Sequence, residues 1–155
     1  MGLVRTGAAE EAWRTMLRLM FEGEGFTRLP NACRTEGVSP SLAKAMFCLS
    51  EDEAHPMRDL AEQWGCDASY VTALVDGLEE RRFAERRPHP TDRRVKTVVL
   101  TPAGARVKAA VLARLWEPPS SFSALSDEEQ EQLCTLLHKL ADADSAIPSA
   151  RYTIA

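Results

Sequence analysis

Residues 86–97 read RRPHPTDRRVKT, four arginines and a lysine around the turn-prone stretch PHPTD. A guanidinium is a planar fork of donors, charged at any working pH, that matches phosphate oxygens two at a time. Such groups gathered on a short turn suit binding of a polyanion better than bond-making chemistry. The distribution of charge points the same way. The chain as a whole carries 19 Lys and Arg against 23 Asp and Glu, a net of −4. Residues 81–108 nevertheless hold 9 basic against 2 acidic side chains, a net of +7, between a first block (1–80) of 7 against 14 and a last block (109–155) of 3 against 7. A local basic excess between acidic segments is the electrostatic footprint expected of a nucleic-acid contact.

Other chemistries find less support. Cys33, Cys48, Cys66 and Cys134 are widely spaced, and His55, His89 and His138 form no ligand pattern with them, so neither a metal nor another cofactor is expected. Reduced, partly buried thiols are the plain expectation, with thiol sensing as the alternative. No motif joins a nucleophile, a base and an orienting group, so an enzyme is not expected. No run approaches the roughly 18 apolar residues of a membrane span. The start, MGLVRTGAAEEAW, places two glutamates where a signal peptide needs its apolar stretch. These features predict a soluble, cytoplasmic protein with no membrane partner.

The basic turn must be held by something, and 155 residues with 45% hydrophobic content suffice for one domain. Residues 8–22 place Trp13, Met16, Leu17, Met20 and Phe21 at helical spacing, and a second helical stretch is predicted to about residue 36 despite Pro30. Ser39 caps a short helix that begins at Pro40 and buries Leu42, Ala45, Met46 and Leu49. The acidic stretch EDEAHP ends it. MRDLAEQW and a helix capped by Asp67 follow, joined through Gly65. FAERR and VKTVVL read as two strands of a hairpin around PHPTD. Thr101 and Pro102 start another helix, EPPSSFSAL connects, and Ser126 with Glu129 forms a capping box before a last helix bearing Leu133, Leu136, Leu137 and Leu140. A frayed tail, SAIPSARYTIA, is expected to follow.

Two short helices with small Ala61 at their crossing, Gly65 in the turn, and apolar Leu60, Trp64, Cys66, Val71 and Leu74 fit a helix-turn-helix. In such a unit the second helix lies in the DNA major groove. Its open face displays Ser69, Tyr70, Thr72, Ala73 and Asp76, of which Ser69, Tyr70 and Thr72 are candidates to bond bases or phosphates. No Arg or Lys lies on its first three turns, so the hairpin must supply much of the affinity.

The order of residues from Met57 to Gly104, with LEERRFAERR and then HPTDRRVKTVVLTPAG, resembles the winged helix-turn-helix of the MarR family of bacterial transcriptional regulators. The resemblance implies a mainly α fold with a small β-hairpin wing (α+β). It divides a single domain, 1–155, into dimerisation helices at 1–38 and 103–145 and a DNA-binding lobe at 39–102. It also implies a homodimer on double-stranded DNA, a pseudo-palindromic operator, and repression relieved by a small aromatic effector. Asp92 would then brace the wing and Arg94 enter the minor groove, with Arg93, Arg86 and Arg87 against phosphates. The family's effectors sit between the dimerisation helices and the DNA-binding lobe, where Trp13, Met16, Met20, Phe47 and His55 are the candidate contacts, although a Met and aromatic stripe at helical spacing also reads as core. The chain departs from the family pattern at Ala73 and Gly77, where basic or bulky residues are frequent, and at Arg82, where Gly is. Two alternatives stay open: a helical-dimer interaction protein with weakened DNA binding, and a thiol-based redox-sensing regulator.

Overall fold

The computed structural model describes residues 7–143 apart from Pro90 and Arg93; the tail expected to fray, from Ser145 on, lies outside the described residues.

Helix α1 (Ala8–Phe21) and helix α2 (Glu24–Thr35) are in contact at the N-terminal end. Pro30 sits inside α2 without ending it. Arg28 ties α2 to the end of α6 (Pro102–Trp116), its guanidinium donating to the Arg114 carbonyl at 3.2 Å and to the Glu117 carbonyl. A cation on the free carbonyls of a helix C-terminus offsets the negative end of the dipole.

Helix α3 (Pro40–Phe47) starts where Ser39 accepts a bond from the Leu42 amide at 3.3 Å. A short strand β1 (His55–Pro56) leads into α4 (Met57–Trp64), and α5 (Ala68–Glu80) follows. Gly65 holds φ at 60°, the left-handed region that a side chain resists, and so makes the reversal between α4 and α5. Asp67 caps α5 by accepting from the Tyr70 amide at 2.9 Å.

Strands β2 (Ala84–Pro88) and β3 (Lys96–Leu100) form the hairpin, and β1 adds to its other side, giving the antiparallel order β1-β3-β2. In the register His55 of β1 faces Val98 of β3, Arg86 of β2 faces Val98 from the other side, and Ala84 faces Leu100. Central β3 is therefore buried from Thr97 to Leu100, and Thr97 satisfies its hydroxyl on the Arg87 carbonyl at 2.9 Å. The core gathers Leu42 and Met46 from α3, Leu60 from α4, Val71, Val75 and Leu78 from α5, Val98 and Leu100 from β3, and Val111 and Leu112 from α6. Each such side chain contributes roughly 1.5–3 kcal/mol through burial.

A tight junction links this core to α6. Arg82 follows α5 with φ 58°, and its carbonyl accepts from the Thr101 hydroxyl at 2.6 Å. The Thr101 amide donates to the Phe83 carbonyl at 3.0 Å, and the Thr101 hydroxyl in turn accepts from the Gly104 amide at 3.1 Å. A Cβ on Gly104 would stand 1.9 Å from the Phe83 carbonyl oxygen, so only glycine fits there. The glycine of LTPAG is thus a packing requirement.

Helix α7 (Asp127–Ala143) begins with the expected capping box, Ser126 and Glu129 exchanging bonds at 2.8 and 3.3 Å. Neither α1 nor α7 buries any residue within the chain.

Sequence reading missed two elements: the strand at His55–Pro56 and a 3-10 turn at Ser120–Ala124, which lies in the expected connector. A strand of two residues has too few positions for a period of two to show. The expected strands also lose Phe83 and Val95 at their ends. Gly77 needs a different reading as well. A Cβ there would meet Leu42 of α3 at 3.2 Å, so the position faces the neighbouring helix and not an open groove.

Candidate nucleic-acid interface

The open face of α5 and the hairpin lie in one lobe, and α5 packs directly on β2. Ser69, Tyr70, Thr72 and Ala73 are all exposed, Tyr70 at 48%. Their hydroxyls are engaged locally in the free protein. Ser69 donates to the Asp67 carboxylate, and Thr72 donates to the Ala68 carbonyl at 2.8 Å. Hydroxyl oxygens keep acceptor capacity in that state and can rotate to a new partner. The Ser69 hydroxyl, followed by the Tyr70 amide, holds the Asp67 carboxyl below the usual carboxylate range. An ionised cap at the start of α5 is the form that its N-terminal dipole favours.

At the hairpin tip, the His89 amide donates to the Val95 carbonyl and the Val95 amide to the Asp92 carbonyl, both at 3.0 Å. Asp92 Oδ1 also accepts from the Arg94 amide at 3.0 Å, which fixes the backbone that carries the Arg94 side chain. Arg94 itself is exposed and has no carboxylate partner among the described residues. Arg93 lies outside the described residues.

The other two arginines behave differently from each other. Arg87 is 56% exposed and pairs with Glu85 of its own strand, a contact that solvent screens and exchanges readily. Arg86 is only 26% exposed and is held by two acids of α5, Asp76 at 2.7 Å and Glu79. Its backbone amide also donates to Glu79 at 2.8 Å. Arg86, expected against a phosphate, is thus joined to the recognition helix in this structure. Sequence gave no sign of this, because the seven-residue and ten-residue separations involved follow no single element's period.

The expected effector contacts do not come together. A cleft of about 570 Å³ opens among α2, α3, α4, α5 and α6, lined by Leu29, Phe47, Trp64, Tyr70, Leu74 and Leu115. Phe47 is there; Trp13, Met16, Met20 and His55 are not among its walls. The first three stand on the largely exposed α1, and His55 is paired into the sheet. Tyr70, expected to face DNA, reaches this cleft from the start of α5. Trp64 has its indole N–H buried with no partner among the described residues.

A capped helix with an open polar face, joined to an arginine-bearing hairpin, defines a winged helix-turn-helix DNA-binding protein. Residues 38–96 match the MarR family. The regulator BilQ of Clostridium symbiosum, named an HTH-type transcriptional regulator, is 33% identical over 113 residues, covering 72% of this chain and 78% of its own. The crystal structure of YusO from Bacillus subtilis superposes with a TM-score of 0.72 at 25% identity, over 90% of this chain and all (100%) of its own. A MepR mutant from S. aureus bound to an oligodeoxyribonucleotide shares the fold, with a TM-score of 0.62 at 18% identity over 89% of this chain and 99% of that one. The chain belongs to the MarR family and is a DNA-binding transcriptional regulator. Among its described residues no helix is long and apolar enough to cross a membrane.

Proposed function

We propose that the protein is a homodimeric repressor that binds a pseudo-palindromic operator in double-stranded DNA, with α5 in the major groove and the hairpin beside it in a minor groove. The observation that carries this reading is the braced tip: Asp92 fixes the backbone at Arg94, whose guanidinium is left exposed. A narrow minor groove concentrates negative potential and attracts an arginine presented in that way. Ser69, Thr72 and Ala73 face the bases, and Arg87 and Arg93 meet phosphates, which position the protein without reading sequence.

Dimerisation is supported by apolar surface with nothing on it. Trp13 (57%), Phe21 (61%), Leu136 (60%) and Leu140 (60%) are exposed on helices that bury nothing within the chain. Patches of that kind in a stable protein mark an interface. Segments 1–38 and 103–145 form the dimer and segment 39–102 the DNA-binding lobe.

The effector, in this reading, is a small aromatic molecule that enters the largely apolar cleft beside Phe47. Tyr70 and Leu74 make the wall of that cleft part of the recognition helix, so occupancy bears on the DNA-reading element. In this reading the protein works in the cytoplasm, where a bacterial operator lies.

The test is binding of the full chain to a duplex from its own upstream region and to a random duplex of equal length, at fixed salt. A preference of about 10³ or more is the expected result. Equal affinities overturn the proposal.

A further inference from the structure

Asp76 is an acid in an awkward place. It follows Thr72 and Ala73 by four and three residues and so shares their face of α5, the face proposed to meet DNA. Its side chain is 55% exposed, and a carboxylate there repels a phosphate backbone. Its partner Arg86 comes from the wing, at 2.7 Å. Glu79 completes the arrangement, with one oxygen on the Arg86 guanidinium and the other accepting from the Arg86 amide at 2.8 Å. Strand β2 is an edge strand, so Glu79 also satisfies an amide that no further strand covers.

Two consequences follow from this geometry. The guanidinium fork is held by carboxylates on both sides, which fixes the wing relative to the recognition helix. The group of three also carries a net negative charge, so Arg86 does not serve as a free cation for phosphates. We propose, building on the DNA-binding reading above, that Asp76 is a specificity-determining residue: with Glu79 it keeps Arg86 off the phosphate backbone and sets the wing's position against α5. It lowers affinity for DNA of any sequence and, by fixing that position, favours one operator geometry.

The inference predicts a gain of binding from removal of a contact. Asp76→Asn removes the charge that holds one side of the fork, and Arg86 turns toward phosphate. Affinity for a random duplex then rises about three- to tenfold or more near 0.1 M salt, and the slope of log K against log salt steepens by up to about 1.8, one phosphate contact from each protomer of the dimer. Preference for the upstream duplex falls. Arg86→Met leaves two unpaired acids and weakens binding to both duplexes without a steeper slope. Arg86→Lys keeps the charge but cannot bridge both acids, so affinity is retained while preference falls.

Fluorescence anisotropy across a salt series reads all four proteins, with circular dichroism to confirm that each is folded. An Asp76→Asn protein with the wild-type slope and affinity on random DNA overturns the inference, as does one that loses affinity for both duplexes equally. A wild type that shows no preference for its upstream duplex overturns the operator reading instead, while the slope on random DNA still reports on Arg86.

Discussion

Gly104→Ala sets two physical effects against each other. In an unconstrained helix the change is favourable by roughly 1 kcal/mol, because alanine loses less backbone entropy than glycine. Here the new methyl carbon would lie 1.9 Å from the Phe83 carbonyl oxygen, where real contacts do not fall below 3.0 Å. The start of α6 must withdraw by about 1.1 Å, the difference between those distances. That movement breaks or stretches three bonds at the junction: Thr101 amide to Phe83, Thr101 hydroxyl to Arg82, and the Gly104 amide to its Thr101 cap. At about 1 kcal/mol each they are worth roughly 3 kcal/mol, and the helix gain reduces the net loss to about 2 kcal/mol. Urea unfolding followed by circular dichroism measures it, with both proteins at one concentration because a dimer's stability depends on concentration. An unchanged or raised midpoint would refute the packing argument and leave propensity as the controlling effect.

Arg82→Gly runs in the opposite direction. Relief of a left-handed arginine, worth about 1 kcal/mol or more, outweighs the extra freedom of glycine in the unfolded chain, so the thermal midpoint rises; a lower midpoint would show that the Arg82 side chain makes a contact of greater value. Leu136→Glu with Leu140→Glu puts charges on the exposed apolar face of α7, and if the proposed dimer forms through that face, sedimentation should show a dimer for the wild type and a monomer for the variant. Equal sedimentation of the two proteins would place the dimer contact elsewhere. Asp67→Ala removes the cap of α5 and lowers the midpoint at neutral pH. Because the Asp67 carboxyl is held below its usual range, its contribution is full above that range and is lost as the pH falls through the folded-state value, so the two proteins should converge in acid. A gap that stays constant with pH would mean that ionisation of the cap is irrelevant.

Local rules carried much of the fold into view. The caps at Ser39, Asp67, Thr101 and Ser126 each rest on a side chain bonding the amide three residues on, and that spacing is written in the sequence. Gly65 was legible for the same reason. The Asp92 brace is a local feature too, bonding an amide two residues away. What stayed hidden depends on long-range placement. Arg86 looked like its neighbours in a basic run, and only the approach of α5 to β2 distinguishes it from Arg87. The cleft beside Phe47 is assembled from five helices, so helical spacing on α1 suggested residues that never reach it. Gly77 departs from a family position where basic residues are frequent, and only the packing of Leu42 against it accounts for the small residue there.

The central claim is that a braced arginine at the hairpin tip supplies DNA affinity that the recognition helix, with no basic residue in its first three turns, lacks. The most direct measurement is the salt dependence of binding to the upstream duplex for the wild type and for Arg94→Ala. Each dimer loses two contacts in the variant, so the slope of log K against log salt should flatten by about 2 if both arginines release counterions. The variant should also bind more weakly at every salt concentration. An Arg94→Ala protein with the wild-type slope and affinity would contradict the account and place the source of binding away from the wing.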